Sequence, residues 1–356
     1  MRPPVFTATA LGAGVSIVLL AACSGYQPTA GSGATTQALP QRQPFGRYEP
    51  MIANNGARSV LPAGFKPNTT RASWMKLPPV EGDASRGDHI AVAQFGGSGV
   101  LWFPLNDKTD KPPAICQPAS STNGIAIDRY GNLWVPDGRA NTTTEYAPNC
   151  GSAKLTIQDP TGEPADVGFA GKNRVFILNL NNLSGAPTVE VYNSTSGKQL
   201  GTLSDPSFAV LFGVGTDRKG NVFVSNLTKS NVGNVIEFPK GKMPGSQLSG
   251  VSLGLPGAPT FDGQNNLIIA DWLAKTIDVF SPPYQTTPTT SPLMGSSIWC
   301  KLNQREKNLY CGDADNGSID VYAYPGNTYK FSYTAGLSAS ALVTGVAPAP
   351  AAAYGP

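Results

Sequence analysis

One cassette recurs down this chain and limits what it can become. It is a small-residue strand, a Gly/Asn turn, a second strand ending in a polar residue, and a third ending in an aromatic. The clearest copy runs Asn123-Gly124-Ile125-Ala126-Ile127-Asp128-Arg129-Tyr130-Gly131-Asn132-Leu133-Trp134-Val135-Pro136-Asp137, followed by Thr144-Glu145-Tyr146. Aligned on their second strands, the copies end in Gln94, Asp137, Asn179, Asn226, Asp271 and Asp313, and their third strands close on Phe103, Tyr146, Tyr192, Phe238, Phe280 and Tyr322. The aromatic positions are spaced 42–46 residues apart. A period in that range, built of short strands, marks the blades of a propeller. Six copies predict an all-β, six-bladed β-propeller of four-stranded blades over residues 86–348. The first copy has no inner strand ahead of His89, whereas Val343-Thr344-Gly345-Val346-Ala347 matches the start of the clearest copy. The C-terminal strand is therefore predicted to join blade one, because an open ring would leave two sheet edges unpaired.

Composition agrees with a turn-rich β chain. Gly (40) and Pro (32) are abundant and charged residues make up only 14%, which suits short strands and tight connections more than helices. A formal net charge of +3 over 356 residues argues against nucleic acid as a partner, since that needs a concentrated basic surface.

The N-terminus reads as a targeting segment: Arg2 precedes an apolar run of 18 residues, Val5 to Ala22, and then Leu20-Ala21-Ala22-Cys23-Ser24. This is similar to the lipobox of bacterial lipoproteins. The similarity implies cleavage after Ala22, acylation of Cys23, and attachment at the cell envelope on the extracytoplasmic side. More than one acyl chain gives firm attachment where a single chain does not. Ser24 in place of Asp is compatible with export to an outer membrane. The expected organisation is a signal peptide at 1–22, a lipidated tether at 23–44, an irregular arm at 45–85 carrying Phe45, Tyr48, Phe65 and Trp74, the propeller at 86–348, and a disordered tail at 349–356. The tether has too few apolar residues to fold. Arg86-Gly87-Asp88 is a triplet of a kind that arises by chance.

The repeat pattern G-[IV]-A-[IV]-D-x-x-G-N-[LV]-[WYF]-V-x-[DN] resembles NHL-type repeats and the gluconolactonase/regucalcin-like six-bladed propellers. In the latter group the resemblance implies a metal-dependent lactonase, with Asn123 where that pattern has a metal-binding Asn and calcium as a possible ion. The rest of that ligand set is missing. Val343–Ala347 has no carboxylate, Asp217 and Asp262 follow their strands on the opposite face, and only Glu163 or Asp166 remains to be recruited. Propellers of the lyase type use several histidines, and this chain has one, His89.

Four cysteines remain after Cys23, an even number suited to two disulfides in an exported chain. The repeat frame sets Cys300 opposite Cys311 on neighbouring strands of blade six, and puts Cys116 and Cys150 in the outer parts of blades one and two. It favours the pairs Cys300–Cys311 and Cys116–Cys150.

The six polar residues that close the second strands have two readings. They can satisfy backbone N–H groups in Asx-type turns, or they can form a ring that hosts a ligand, in which case any pocket opens on their face. Asn123, Asp137, Asn179, Asn226, Asp271 and Asp313 are the ligand-face candidates. Trp272 joins them as an aromatic expected to be exposed beside Asp271, whereas Trp134 is expected to pack between blades. The expected function is a lipid-anchored, non-catalytic binding or scaffolding module for a protein or glycan, monomeric and without a cofactor. The alternative is the metal-dependent lactonase.

Overall fold

Among the described residues, short apolar runs bounded by Gly, Asn and Asp turns pair into 24 strands and six four-stranded antiparallel sheets. The computed structural model describes residues 89–349 apart from 96–98, 105–113, 118–121, 160–161, 172, 183–185, 286, 304 and 338–341. The signal peptide, Cys23, the tether, the arm and the Arg86-Gly87-Asp88 triplet lie outside the described residues. No helix among the described residues is long and apolar enough to cross a membrane.

Blade one contains β1 (His89–Phe95), β2 (Val100–Pro104) and β3 (Ala114–Gln117). Blade two runs β4 (Ala126–Ile127), β5 (Leu133–Asp137), β6 (Thr142–Tyr146) and β7 (Ala153–Gln158). Blade three is β8 (Gly162–Ala170), β9 (Arg174–Asn182), β10 (Thr188–Asn193) and β11 (Gln199–Leu203). Blade four is β12 (Val210–Thr216), β13 (Val222–Leu227), β14 (Gly233–Phe238) and β15 (Ser246–Gln247). Blade five is β16 (Thr260–Phe261), β17 (Leu267–Asp271), β18 (Thr276–Phe280) and β19 (Thr289–Pro292). Blade six is β20 (Ser297–Leu302), β21 (Asn308–Asp313), β22 (Ser318–Ala323) and β23 (Thr328–Tyr333). The last strand, β24 (Leu342–Ala349), is the inner strand of blade one, antiparallel to β1 with Ile90 opposite Pro348 and Val92 opposite Val346. Closure by the chain's end therefore occurs as the repeat predicts, and it pairs the edge that β1 would otherwise expose.

The Asp-x-x-Gly-Asn part of the cassette locks the turn between the first and second strands. Asp128 Oδ1 accepts the N–H groups of Tyr130 and Asn132, each at 2.9 Å, and its Oδ2 accepts from Asn132 Nδ2 at 2.9 Å. Asp217 holds Lys219 and Asn221 in the same way, and Asp262 holds Gln264 and Asn266. Gly131 and Gly220 supply the positive φ that the turn requires, +83° and +79°; in blade five Asn265 takes that place with φ 62°.

The apolar core is divided among the blade interfaces. Trp134 of blade two is fully buried against Phe169 of blade three, ring centroids 5.7 Å apart, with Val175 and Ile177 in the same cluster. Phe176 fills the corresponding place between blades three and four, and Phe223 meets Phe261 of blade five at 4.6 Å. Tyr310 joins Ile90, Val92 and Val346 between blades six and one. Trp134 is thus an inter-blade residue, as its repeat position implies. Truncation of a buried aromatic of this kind costs about 3–5 kcal/mol.

Both expected disulfides are present. Cys300 and Cys311 are directly opposed on β20 and β21. Cys116 on β3 joins Cys150 beyond β6, so this second bond ties blade one to blade two.

Candidate functional site

Some of the polar residues that end the second strands hold down the loops that feed the inner strands, and others close their own turns. Asp271 accepts the N–H groups of Gly254 (2.6 Å) and Leu255 (3.1 Å) from the loop before β16, and those of Leu273 and Ala274 (both 3.1 Å) in its own turn. Asn226 accepts from Ala209 N (2.9 Å) and donates to Ser207 O and Asn234 Oδ1 (both 3.0 Å), which secures the loop before β12. Asp313 accepts from Asp315 N, Asn316 N and Asn316 Nδ2. Asp137 accepts from Arg139 N and Ala140 N, and Asn179 donates to Asp159 Oδ2 at 2.7 Å. The Asx-turn geometry therefore holds at Asp137, Asp271 and Asp313, whereas Asn179 and Asn226 bridge to neighbouring segments. These bonds also place the strand-two ends and the feeding loops on one face.

Most of this ring is buried. Asn179, Asn226 and Asp313 are fully enclosed, and Gln94, Asn123 and Asp271 nearly so. Burial pushes the Asp313 carboxyl up to about 6; the Asn316 amide opposes that shift and the Asp320 charge adds to it. Asn123 Oδ1 and Gln94 Nε2 are buried without a hydrogen-bond partner. Trp272 departs from expectation. It is 2% exposed and packs in the cluster that contains Phe212, Leu255 and Ala258, because the residue after Asp271 turns inward as its N–H bonds to Leu255 O. His89 stacks on Trp102 within blade one, ring centroids 5.4 Å apart, at the end of β1 away from Gln94. Among the described residues no group of three His, Cys, Asp or Glu side chains is placed to hold a metal ion.

The same face carries exposed apolar side chains that the repeat does not announce. Val232 in the β13–β14 turn, Leu273 in the β17–β18 turn and Met294 in the loop before β20 are 47%, 47% and 58% exposed. All three connections lie on the strand-two-end face, on blades four, five and the entry to six. The signal was present in sequence only as an apolar residue inside a polar turn.

The axis carries a second feature. Small residues line most inner strands, and three side chains break that rule. From blade three comes Asp166, and from blade six come Trp299 and Lys301. A Cβ on Gly124 would collide with both Asp166 Oδ1 and Trp299 Nε1, so these two side chains meet over a glycine at one end of the axis. Asp166 is fully buried and accepts from Val214 N at 2.9 Å. Its burial raises its pKa, an effect opposed by the Lys301 charge. On the other side lies a cavity that opens to solvent. Lys301 lines it together with inner-strand positions such as Ile125, Val167 and Val214, whose side chains are themselves buried in the inter-blade clusters. Arg218, Asp262 and Glu306 line it as well, and their turns belong to the face opposite the polar ring. The expectation that a pocket opens on the ring face is therefore not met by this cavity, because Trp299, Asp166 and Gly124 pack at that end of the axis.

No protein-family model matches the chain, and no curated protein matches its sequence. Solved structures do. A chain of the nidogen/laminin complex aligns with a TM-score of 0.65 and 16% identity, over 75% of this chain and all of that one. A protein of unknown function from Bacteroides caccae aligns at 0.56 and 14% identity, over 74% of this chain and 99% of that one. At these identities the likeness establishes the fold, an all-β propeller that here has six four-stranded blades.

Proposed function

We propose that this chain is a cell-envelope lipoprotein, anchored through Cys23, whose propeller is a non-catalytic binding module for a protein or glycan. The observation that carries this reading is the exposure of Val232, Leu273 and Met294 on the strand-two-end face, where Asp271 fixes the Leu273 turn. Apolar side chains of this size, held on rigid turns over consecutive blades, suit a protein partner, since a protein interface gains most from a few large apolar anchors. Rigid loops also reduce the ordering cost of association. The pinning bonds of Asp137, Asp271 and Asp313 support a non-catalytic role, because carboxylates already accepting two to four N–H groups are poorly placed to exchange protons with a substrate. The likeness to a chain solved within a nidogen/laminin complex is in keeping with a partner-binding platform, and the NHL-like repeat pattern is a frame that hosts many functions. The sequence Leu20-Ala21-Ala22-Cys23 supports the anchor.

Two assays test this reading. Labelled palmitate should enter the wild-type protein and not Cys23→Ala. Purified protein should retain a ligand from a glycan array or from fractionated envelope proteins and should hydrolyse no lactone with added calcium. Empty binding screens together with lactone turnover would replace the binding module by the lactonase.

A further inference from the structure

The small net charge of +3 conceals a separation of charge between the two faces. On the face opposite the polar ring, cations stand at the turns between first and second strands. They are Arg129 in blade two, Arg174 in blade three, Arg218 and Lys219 in blade four, and Arg305 and Lys307 in blade six. The β14–β15 connection brings Lys240 and Lys242 beside them. Arg174 Nη1 donates to Lys240 O at 2.8 Å, and Lys240 Nζ donates to Lys219 O. All of these side chains are exposed except that of Arg174, which is half-buried. Fewer acids answer them. Asp128, Asp217 and Asp262 are buried beneath the turns whose N–H groups they accept. Glu306 is taken by Arg218 at 2.8 Å, and Glu237 is half-buried one residue in from the end of β14. On the ring face the order is reversed. Asp137, Asp271 and Asp313 stand at its turns, with Glu163 at the start of β8 and Asp205 in the loop before β12. Among the described residues its exposed cations are Arg139, Lys229 and Lys275, the last paired with Asp315 at 2.9 Å.

The basic face also receives the chain. His89, where β1 begins, lies opposite Pro104 and Ala349, at strand ends that share this face. The sequence that follows Cys23 therefore joins the propeller on its basic side. We propose that this face docks on an anionic phospholipid bilayer, with its cations over the lipid phosphates and the ring face turned away from the membrane. A bilayer is favoured over other polyanions because the chain arrives on this side from Cys23, a choice that rests on the lipoprotein reading above. Each Lys or Arg near an anionic bilayer adds an attraction that fades within a Debye length. Cations spread over blades two, three, four and six suit a broad, flat contact of that kind. Lipid takes this face and leaves the opposite one to the protein or glycan partner, so either surface can fail without the other.

Co-sedimentation of the full-length Cys23→Ala protein with vesicles tests the proposal. That substitution removes the acylation site, so labelled palmitate reports the anchor and vesicle binding reports the face. At about 0.1 M salt, vesicles of equimolar phosphatidylglycerol and phosphatidylcholine should bind about tenfold or more tightly than phosphatidylcholine alone. The neutral vesicles report any charge-independent contribution of the apolar run Val5 to Ala22. Lys219→Glu combined with Lys307→Glu should lose about tenfold or more of the affinity for the anionic vesicles. Arg139→Glu combined with Lys229→Glu changes the net charge equally from the ring face and should retain it. A measurement without charge substitutions covers the case in which a variant misfolds. Acetylation by a water-soluble ester, followed by peptide mass spectrometry, should show Lys219, Lys242 and Lys307 protected by the anionic vesicles while Lys229 is modified at an unchanged rate. Equal binding to both kinds of vesicle, equal losses in the two double variants, or no protection of Lys219 and Lys307 would overturn the proposal. So would a single-stranded oligonucleotide that protects the same lysines and binds more tightly than the anionic vesicles.

Discussion

At the scale of single residues, one side-chain type does two jobs in this protein. Aspartates at the strand-one turns (Asp128, Asp217, Asp262) and at the strand-two ends (Asp137, Asp271, Asp313) all accept backbone N–H groups. Each replaces water for donors that a tight turn leaves unpaired, and an orphaned buried donor costs about 1–3 kcal/mol. Asp313 adds a pH dependence. Its carboxyl is pushed up to about 6 in the fold, above the ordinary value of about 3.9 expected in the unfolded chain. The folded state therefore binds this proton more tightly. The contribution is fully present below about pH 4, and it is lost as pH rises to about 6. It amounts to at most about 3 kcal/mol. Urea unfolding of the wild type should show that loss between pH 4 and 6.5, and Asp313→Asn should flatten it. A wild type that gains stability over this window relative to the variant would contradict the assignment.

At the scale of elements, the blades are held by hydrogen-bonded strands inside each sheet and by apolar clusters between sheets, with one covalent link across an interface. The Cys116–Cys150 bond closes a sequence separation of 34 residues. On a chain-entropy basis such a loop is worth about 4 kcal/mol, against about 3 kcal/mol for the separation of 11 closed by Cys300–Cys311. Replacing both Cys116 and Cys150 by Ser should therefore lower the unfolding free energy more than replacing Cys300 and Cys311 by Ser, read from denaturant midpoints at constant slope. The reverse order would show that the joined blades gain little from the link.

Much at this level was legible in sequence, because every blade repeats the same hydrogen-bonding problem. The strand-two register, the closing strand and both cysteine pairs follow from aligning copies. The side chains that break the repeat were not legible in the same way. Trp272 follows an exposed-looking turn residue yet turns inward, which depends on the Leu255 carbonyl of a distant loop. Asp166, Trp299 and Lys301 meet only when blades three and six face each other across the axis. No periodicity of a single chain segment encodes that meeting.

At the scale of the whole molecule, the ring has two unlike faces. One has its loops pinned by buried polar residues and presents Val232, Leu273 and Met294. The other carries the Asp-x-x-Gly-Asn turns, the Arg218–Glu306 pair and the cavity mouth. The central claim is that the pinned face binds a partner. Tyr130, 63% exposed in the β4–β5 turn, is the natural control on the opposite face. The most direct measurement is photocrosslinking in cells that make the protein, with a benzophenone amino acid placed at position 273 or at position 130. Discrete, saturable adducts from position 273 and none from position 130 are predicted. Absence of adducts at position 273, or equal adducts from both positions, would contradict the account.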